Sequence, residues 1–286
     1  MTIAEAIDQA SRRLHAAGVP AAPFDAELLL RHVLGRDRAW IITHGTDPLD
    51  GKHLALFEDA VRRREKREPL QHIIGTQEFW GLDFIVTRDV LIPRPETELA
   101  VEAVVAAAKE HRPQIIVDVC TGSACIAVSI AKALPEVRIF ATDRSEKALE
   151  IARLNAQRHE VSGRIRFLEG DLFAPLEELD LRGRVDIITA NPPYVRSGDL
   201  PLLQPEVRDY EPGIALVAGA DGTEIAERII AAAPEYLRSG GSLVMEMGMD
   251  QAGSIVSMVE RTKAYAQPAL LKDLLEIDRV IIAKKL

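Results

Sequence analysis

The chain has 286 residues, 47% of them hydrophobic and 28% charged, enough apolar surface to fill a core and so to exclude disorder as its main state. No apolar run approaches the ~20 residues that a bilayer-spanning helix needs. The net charge is −9; residues 1–75 are balanced and the whole acidic excess lies beyond them, which argues against a protein that grips nucleic acid as its direct substrate.

The first 75 residues read as helices. Thr2 and Glu5 have capping-box spacing, and Ile3, Ile7, Ala10 and Leu14 follow at helical intervals until Gly18 and Pro20 stop the run. Further helices are expected over Pro23–Leu34, Arg38–Thr43 and about Asp50–Arg67. From about Gln71 the pattern changes, and the aromatic and β-branched residues around Gly81, from Phe79 to Val86, predict a hairpin. Pro95 opens a helix over Glu96–Lys109, with Glu96 and Glu98 in its first turn.

Beyond residue 113 strands and helices alternate. Strands are expected at Ile115–Val119, Val137–Thr142, Arg164–Leu168, Val185–Thr189, Ser242–Met247 and Arg279–Ala283. Helices follow most of them, over about 124–134, Ser145–His159, Glu224–Leu237 and Gln251–Arg261. Such alternation means a mostly parallel sheet covered on both faces, with ligands beyond the carboxyl ends of its strands. Asp118, Asp143, Asp171 and Asn191 all fall at or just past those ends, so they share one rim.

The first turn, Cys120-Thr121-Gly122-Ser123-Ala124, lacks the three-glycine dinucleotide fingerprint, which argues against a nicotinamide cofactor. Asp143 can accept from both hydroxyls of a ribose, or cap the next helix. Asp171 can accept from the exocyclic amine of an adenine, with Leu172 beside it. Asn191-Pro192-Pro193-Tyr194 is the most informative segment. Its prolines stiffen the backbone and remove two N–H donors, while the Asn191 side chain and the proline carbonyls supply acceptors. The arrangement can take both hydrogens of a planar –NH₂ group, with the Tyr194 ring against its face. Cys120 and Cys125 are too few for a disulfide scaffold and have the wrong spacing for zinc. The seven histidines form no metal-like pair, and the amphipathic, acid-bearing start of the chain is unlike a secretory signal; no metal and a reducing cytoplasm are expected.

In this order, Asp118, Asp143, Asp171 and Asn-Pro-Pro-Tyr resemble a class I S-adenosylmethionine-dependent methyltransferase acting on a planar nitrogen. More closely, the chain is similar to the HemK/PrmC family, the protein-(glutamine-N5) methyltransferases of peptide chain release factors. The likeness includes Glu68-Pro69-Leu70-Gln71-His72-Ile73, Phe79-Trp80-Gly81, Leu91-Ile92-Pro93-Arg94-Pro95-Glu96-Thr97-Glu98 and Asp278-Arg279-Val280. It implies an α/β fold: a Rossmann-like domain with a seven-stranded mostly parallel sheet, preceded by a small all-α domain and a hairpin linker. The expected boundaries are 1–75 for a helical substrate-docking domain, 76–94 for the linker and 95–286 for the methyltransferase domain.

The resemblance further implies that Asp118 and the turn Cys120, Thr121, Gly122, Ser123 and Ala124 hold the methionine end of S-adenosyl-L-methionine, later released as S-adenosyl-L-homocysteine. Asp143 takes the ribose, Asp171 and Leu172 border the adenine, and Asn191 lies near the transferring methyl. Asn191, Pro192, Pro193 and Tyr194 bind the substrate amide, with Asn191, Pro192 and Tyr194 catalytic. The implied partner is a class 1 release factor, methylated on the glutamine of its Gly-Gly-Gln loop; the basic run Arg62–Arg67 can help dock it.

Three rivals are weighed beside that reading. They are a glutamine methyltransferase of a large-subunit ribosomal protein, an adenine-N6 nucleic-acid methyltransferase and a nucleoside-binding scaffold without catalysis. The Arg-Pro-Glu-Thr-Glu continuation disfavours the first and the acidic bulk the second. The substrate-side residues disfavour the third. Two departures from the family pattern stand out: Cys120 and Ala124 replace the outer glycines of the turn, and Glu276 stands where glycine is common. Alanine at 124 is expected to fit only with a negative φ.

Overall fold

The computed structural model describes residues 1–286, the side chains of 110 and 111 excepted. The chain divides into two compact units, Met1–Thr76 with Gln204–Tyr210, and Gln77–Leu203 with Glu211–Leu286.

The first unit is helical, with helices Ile3–Ala16, Ala22–Leu34, Arg38–Thr43, Gly51–Glu65 and Leu70–Ile74. The capping box forms as its spacing predicts: Glu5 N donates to Thr2 Oγ1 at 3.2 Å and Thr2 N to Glu5 Oε2 at 2.8 Å. Leu14, Leu29, Leu30, Phe57 and Val61 recur at helical spacing and are fully buried together. The helix expected to reach Arg67 stops at Glu65, and the extra short helix Leu70–Ile74 follows between Pro69 and Gly75. Gln204–Tyr210, more than 120 residues further on, joins this unit through charge. Arg64 Nε donates to Asp25 Oδ2 at 2.8 Å and Arg64 Nη1 to Glu206 Oε1 at 2.9 Å, while Arg67 grips both Glu206 oxygens at 2.6 Å.

Arg64 and Asp25 are buried, so removing one partner leaves the other desolvated. Asp25→Ala is expected to lower stability by about 3 kcal/mol, the low end of the cost of breaking a buried pair because Arg64 keeps Glu206. Arg62→Ala, which removes the exposed pair with Asp59, should change it by less than about 1 kcal/mol. Urea unfolding of both variants measures the difference.

The second unit opens with hairpin strands β1 (Thr76–Phe79) and β2 (Leu82–Ile85), turning through Trp80 and Gly81. A short 3₁₀ turn, Pro95–Thr97, leads into helix Glu98–His111. Then come β3 (Ile115–Val119), helix Cys125–Ala133, β4 (Arg138–Asp143), helix Glu146–Arg158, β5 (Ile165–Glu169) and β6 (Val185–Ala190). A two-stranded excursion follows, β7 (Val195–Arg196) paired with β8 (Val217–Gly219). Helix Glu224–Tyr236, β9 (Leu237–Glu246), helix Ala252–Thr262, β10 (Ala269–Lys272) and β11 (Asp278–Lys284) complete the chain.

The seven-stranded sheet has the order β10-β11-β9-β6-β3-β4-β5. β9, β6, β3, β4 and β5 are parallel, whereas at one edge β11 runs antiparallel to β9 and β10 antiparallel to β11. This is the class I methyltransferase architecture that the resemblance implies. Successive residues of a strand face opposite ways. Ile116, Ile139 and Val244 therefore join one buried layer, and Val117, Ile188, Leu243 and Met245 the other. Both faces being apolar explains why the inner strands are mostly hydrophobic along their length. Among the described residues no helix is long and apolar enough to cross a membrane.

Candidate active site

Parallel pairing aligns the carboxyl ends of the strands. Val119 lies opposite both Thr142 and Ala190, and Asp143 opposite Glu169, so the loops after β3, β4, β5 and β6 converge. They border a cleft of about 990 Å³, its open mouth included. Cys120, Thr121, Gly122, Ser123, Asp143, Asp171, Leu172, Asn191 and Pro193 line it. Thr97 lines it too. Asp118 and Ala124 do not border it; both are buried. Pro192 is buried and Tyr194 half-buried, and neither borders it.

The turn is held from two sides. Gly122 N donates to Asp143 Oδ2 and Ser145 N to Asp143 Oδ1, each at 2.9 Å. Each carboxylate oxygen thus accepts a backbone N–H, the Arg144 backbone adds another to the group, and lone pairs remain. Burial raises the Asp143 carboxyl above its ordinary range, while these N–H bonds pull it down. The capping role falls to Ser145, whose hydroxyl accepts from Ala148 N. A vicinal diol matches an anchored carboxylate of this kind, and at Gly122 nothing crowds the place of a side chain within 4 Å. These residues fit an adenosyl group.

Beneath the turn, Asp118 accepts from Thr121 Oγ1 at 2.5 Å and Thr189 Oγ1 at 2.7 Å, and burial pushes its carboxyl up to about 6. Its place in the structure is under the loop, as a brace between β3 and β6. Asp171 pairs with Arg228 at 2.5 Å, a partner the linear sequence does not suggest.

The alanine at 124 overturns one expectation. Its φ is +62°, as Cys120 has +59° and Gly122 +54°, so three alternate residues of the turn are left-handed. Left-handed backbone costs a non-glycine residue about 1–2 kcal/mol. At Ala124 the fully buried methyl, packed in the core, offsets part of that. Glu276 is also left-handed, at +63°, in a loop tied by Asp273, which accepts from Leu275 N, Ile277 N and Arg279 Nε.

At the other end of the cleft, the Asn191 side chain has a defined direction. Its Nδ2 donates to Thr97 Oγ1 at 3.1 Å, and its buried Oδ1 has no partner among the described residues. Thr97 Oγ1 in turn donates to Glu246 Oε2 at 2.6 Å. The Ile-Pro-Arg-Pro-Glu-Thr-Glu stretch, quoted above only for its likeness, thereby acquires contacts. Arg94 binds the buried Glu211 at 2.6 Å, and Glu98 accepts from Trp80 N at 2.7 Å.

The far end of Asn-Pro-Pro-Tyr is clamped by Gln251, whose Nε2 donates to the Tyr194 carbonyl at 3.1 Å and the Gly222 carbonyl at 2.9 Å. Burial, with Glu246 nearby, pushes the Tyr194 phenol up to about 12, so it stays neutral. A Cβ on Gly222, whose φ is +76°, would stand 2.6 Å from the Tyr194 carbonyl oxygen. Gly222→Ala is therefore expected to lower stability by at least about 1–2 kcal/mol from its backbone alone. Displacing Tyr194 should reduce turnover several-fold while cofactor affinity holds; thermal unfolding and steady-state kinetics measure the two effects.

Similarity to known proteins agrees with this geometry. Residues 5–75 match the PrmC N-terminal domain family and residues 95–202 the methyltransferase small domain family. A release factor glutamine methyltransferase of Geobacter sulfurreducens is 42% identical over 280 residues, covering 98% of this chain and 95% of the relative. The chain belongs to the release factor glutamine methyltransferase family.

A second member of the family, from Koribacter versatilis, is 38% identical over 286 residues and covers 100% of this chain and 99% of its own. Among solved structures, the hMettl16 catalytic domain in complex with MAT2A 3′UTR hairpin 6 superposes with a TM-score of 0.58 at 16% identity, covering 79% of this chain and 81% of that one. That likeness is one of fold. Family membership makes the chain a methyltransferase. It also leaves the ribosomal-protein and adenine readings with nothing in their favour.

Proposed function

We propose that the protein transfers the methyl group of S-adenosyl-L-methionine to the side-chain amide nitrogen of the Gly-Gly-Gln glutamine in class 1 peptide chain release factors, in the cytoplasm. The observation that carries this reading is the buried Asn191 Oδ1: an acceptor without a partner among the described residues, on a residue that lines the same cleft as the anchored Asp143.

When bound, S-adenosyl-L-methionine supplies an electrophilic methyl on a sulfonium. On the protein's side, Asp143 accepts the ribose hydroxyls, Asp118 braces the turn Cys120–Ala124 from below, and Asp171 with Leu172 borders the adenine. A glutamine amide nitrogen is a weak nucleophile because its lone pair is shared with the carbonyl. Asn191 Oδ1 and the Pro192 carbonyl accept its two hydrogens, which fixes its direction and stabilises the positive charge that grows on nitrogen. This is the electrostatic mirror of an oxyanion hole. Pro192 and Pro193 keep the acceptors rigid and bring no N–H of their own, and Tyr194 lies against the plane of the amide. No strong base is needed beforehand, since the methylated amide sheds its proton afterwards. The helical residues 1–75 dock the release factor, with the exposed Arg62 and Lys66 of the basic run meeting acidic surface while Arg64 and Arg67 stay in their internal pairs; residues 76–94 link them to the methyltransferase domain, 95–286.

Mass spectrometry of a purified class 1 release factor, incubated with the protein and S-adenosyl-L-methionine, tests the proposal. One methyl on the glutamine of Gly-Gly-Gln is the expected product. An unmodified release factor, or a methyl on another residue, would reject it.

A further inference from the structure

Three buried or half-buried groups form a chain with one direction: Glu246 at the end of β9, Thr97 in the 3₁₀ turn before the long helix, and Asn191 after β6. Thr97 is 1% exposed and Glu246 3% exposed, so water does not compete for these bonds. An ionised carboxylate only accepts. The single Thr97 hydroxyl hydrogen therefore goes to Glu246, and what Thr97 turns toward Asn191 is a lone pair. A lone pair can hold the amide –NH₂ but not the amide oxygen. The oxygen is thereby kept off Thr97 and has no partner among the described residues, on a residue that lines the cleft.

We propose that Glu246, acting through Thr97, sets the direction of the Asn191 amide, and so decides whether the cleft offers the substrate an acceptor or a donor. Glu246 and Thr97 are positioning residues in this scheme. The inference rests on the reaction proposed above and adds to it the groups that keep its acceptor in place.

Protonation of Glu246 reverses the logic. A carboxylic acid can donate to Thr97 Oγ1, which frees the threonine hydrogen to bind Asn191 Oδ1 and lets the amide turn over. Its –NH₂ would then face the substrate –NH₂, donor against donor. Burial pushes the Glu246 carboxyl up to about 7, with Thr97 holding it down. Glu96 raises it further, while Arg94 and Arg279 lower it. The other titratable groups that sense Glu246 are Tyr194 and Cys125, both held neutral by burial. Because the active direction needs the ionised form, turnover is expected to rise as pH climbs through about 7 and to fall below it.

The chain contains only two asparagines, Asn155 and Asn191, which makes the amide directly observable. In protein labelled with ¹⁵N-asparagine, two side-chain –NH₂ pairs appear. The Asn191 pair, identified by its loss in Asn191→Ala, is expected to shift with pH near 7. The Asn155 pair, whose amide is fully engaged by Ile85 and Ser123, stays fixed. Thr97→Val should abolish the shift and cut kcat at least tenfold with the KM for S-adenosyl-L-methionine unchanged. Thr97→Ser, which keeps the hydroxyl, should restore both. Glu246→Gln should flatten the pH dependence of kcat. A pH-independent Asn191 pair in the wild type, or a Thr97→Val protein with wild-type kcat and pH profile, would overturn the proposal. The NMR arm needs no substrate, so failure of the release factor reading and failure of this relay are separate outcomes.

Discussion

Asn191→Ala is expected to leave S-adenosyl-L-methionine binding within about twofold of wild type while kcat for release factor methylation falls by about 10²–10³-fold, the usual loss on removing one group that stabilises developing charge. The reason lies in the direction of the side chain. Its nitrogen donates to Thr97, and its oxygen, without a partner among the described residues, is the acceptor left for the substrate amide. Alanine removes that oxygen without disturbing the Gly122–Asp143 end of the cleft, which rests on separate bonds. Calorimetric titration with the cofactor and single-turnover kinetics with the release factor separate the two effects. Comparable losses in both would mean that Asn191 holds the cofactor rather than the amide.

Asp143→Ala is expected to show the opposite split, with the dissociation constant for S-adenosyl-L-methionine rising by about 10²-fold or more. Two hydrogen bonds to a charged acceptor contribute about 1.5–3 kcal/mol each, and about 1.4 kcal/mol corresponds to tenfold. The variant also frees the N–H groups of Gly122 and Ser145, so the turn loses its brace as well as the ribose acceptor. Asp143→Asn keeps the shape but turns one acceptor into a donor, opposite an N–H or a hydroxyl. It should bind the cofactor nearly as poorly, and an intermediate affinity would assign part of the loss to the turn alone. Calorimetric titration reads all three proteins on one scale.

Much of this site was legible in the sequence because a polar residue at the end of a buried apolar strand has few places to go. Asp143, Asp171 and Asn191 read this way from one-dimensional pattern, and the parallel register brings their loops to one rim. Asp118 read the same way, yet it turns inward onto two threonines, since the pattern gives the strand end and not the side on which the carboxylate finds donors.

What stayed hidden depends on long-range pairing. Thr97 and Glu246 meet across 149 residues, and Glu246 reads in sequence as an ordinary strand residue. Gln251 clamps Tyr194 from 57 residues away, and Glu206 joins the helical unit through arginines about 140 residues earlier. Edge strand β10 was also missed, its half-exposed Ala269–Lys272 lacking the apolar run that marks the inner strands. The left-handed Ala124 escaped for a different reason: a steric rule gives a cost, and the surrounding core decides whether that cost is borne.

The account turns on the orientation of one amide relative to the substrate. A crystal structure with S-adenosyl-L-homocysteine and a peptide containing Gly-Gly-Gln would measure it directly. The glutamine –NH₂ should lie within hydrogen-bonding distance of Asn191 Oδ1 and the Pro192 carbonyl, with Asn191 Nδ2 still on Thr97. A glutamine bound elsewhere, or an Asn191 that turns its nitrogen toward the substrate, would contradict the mechanism.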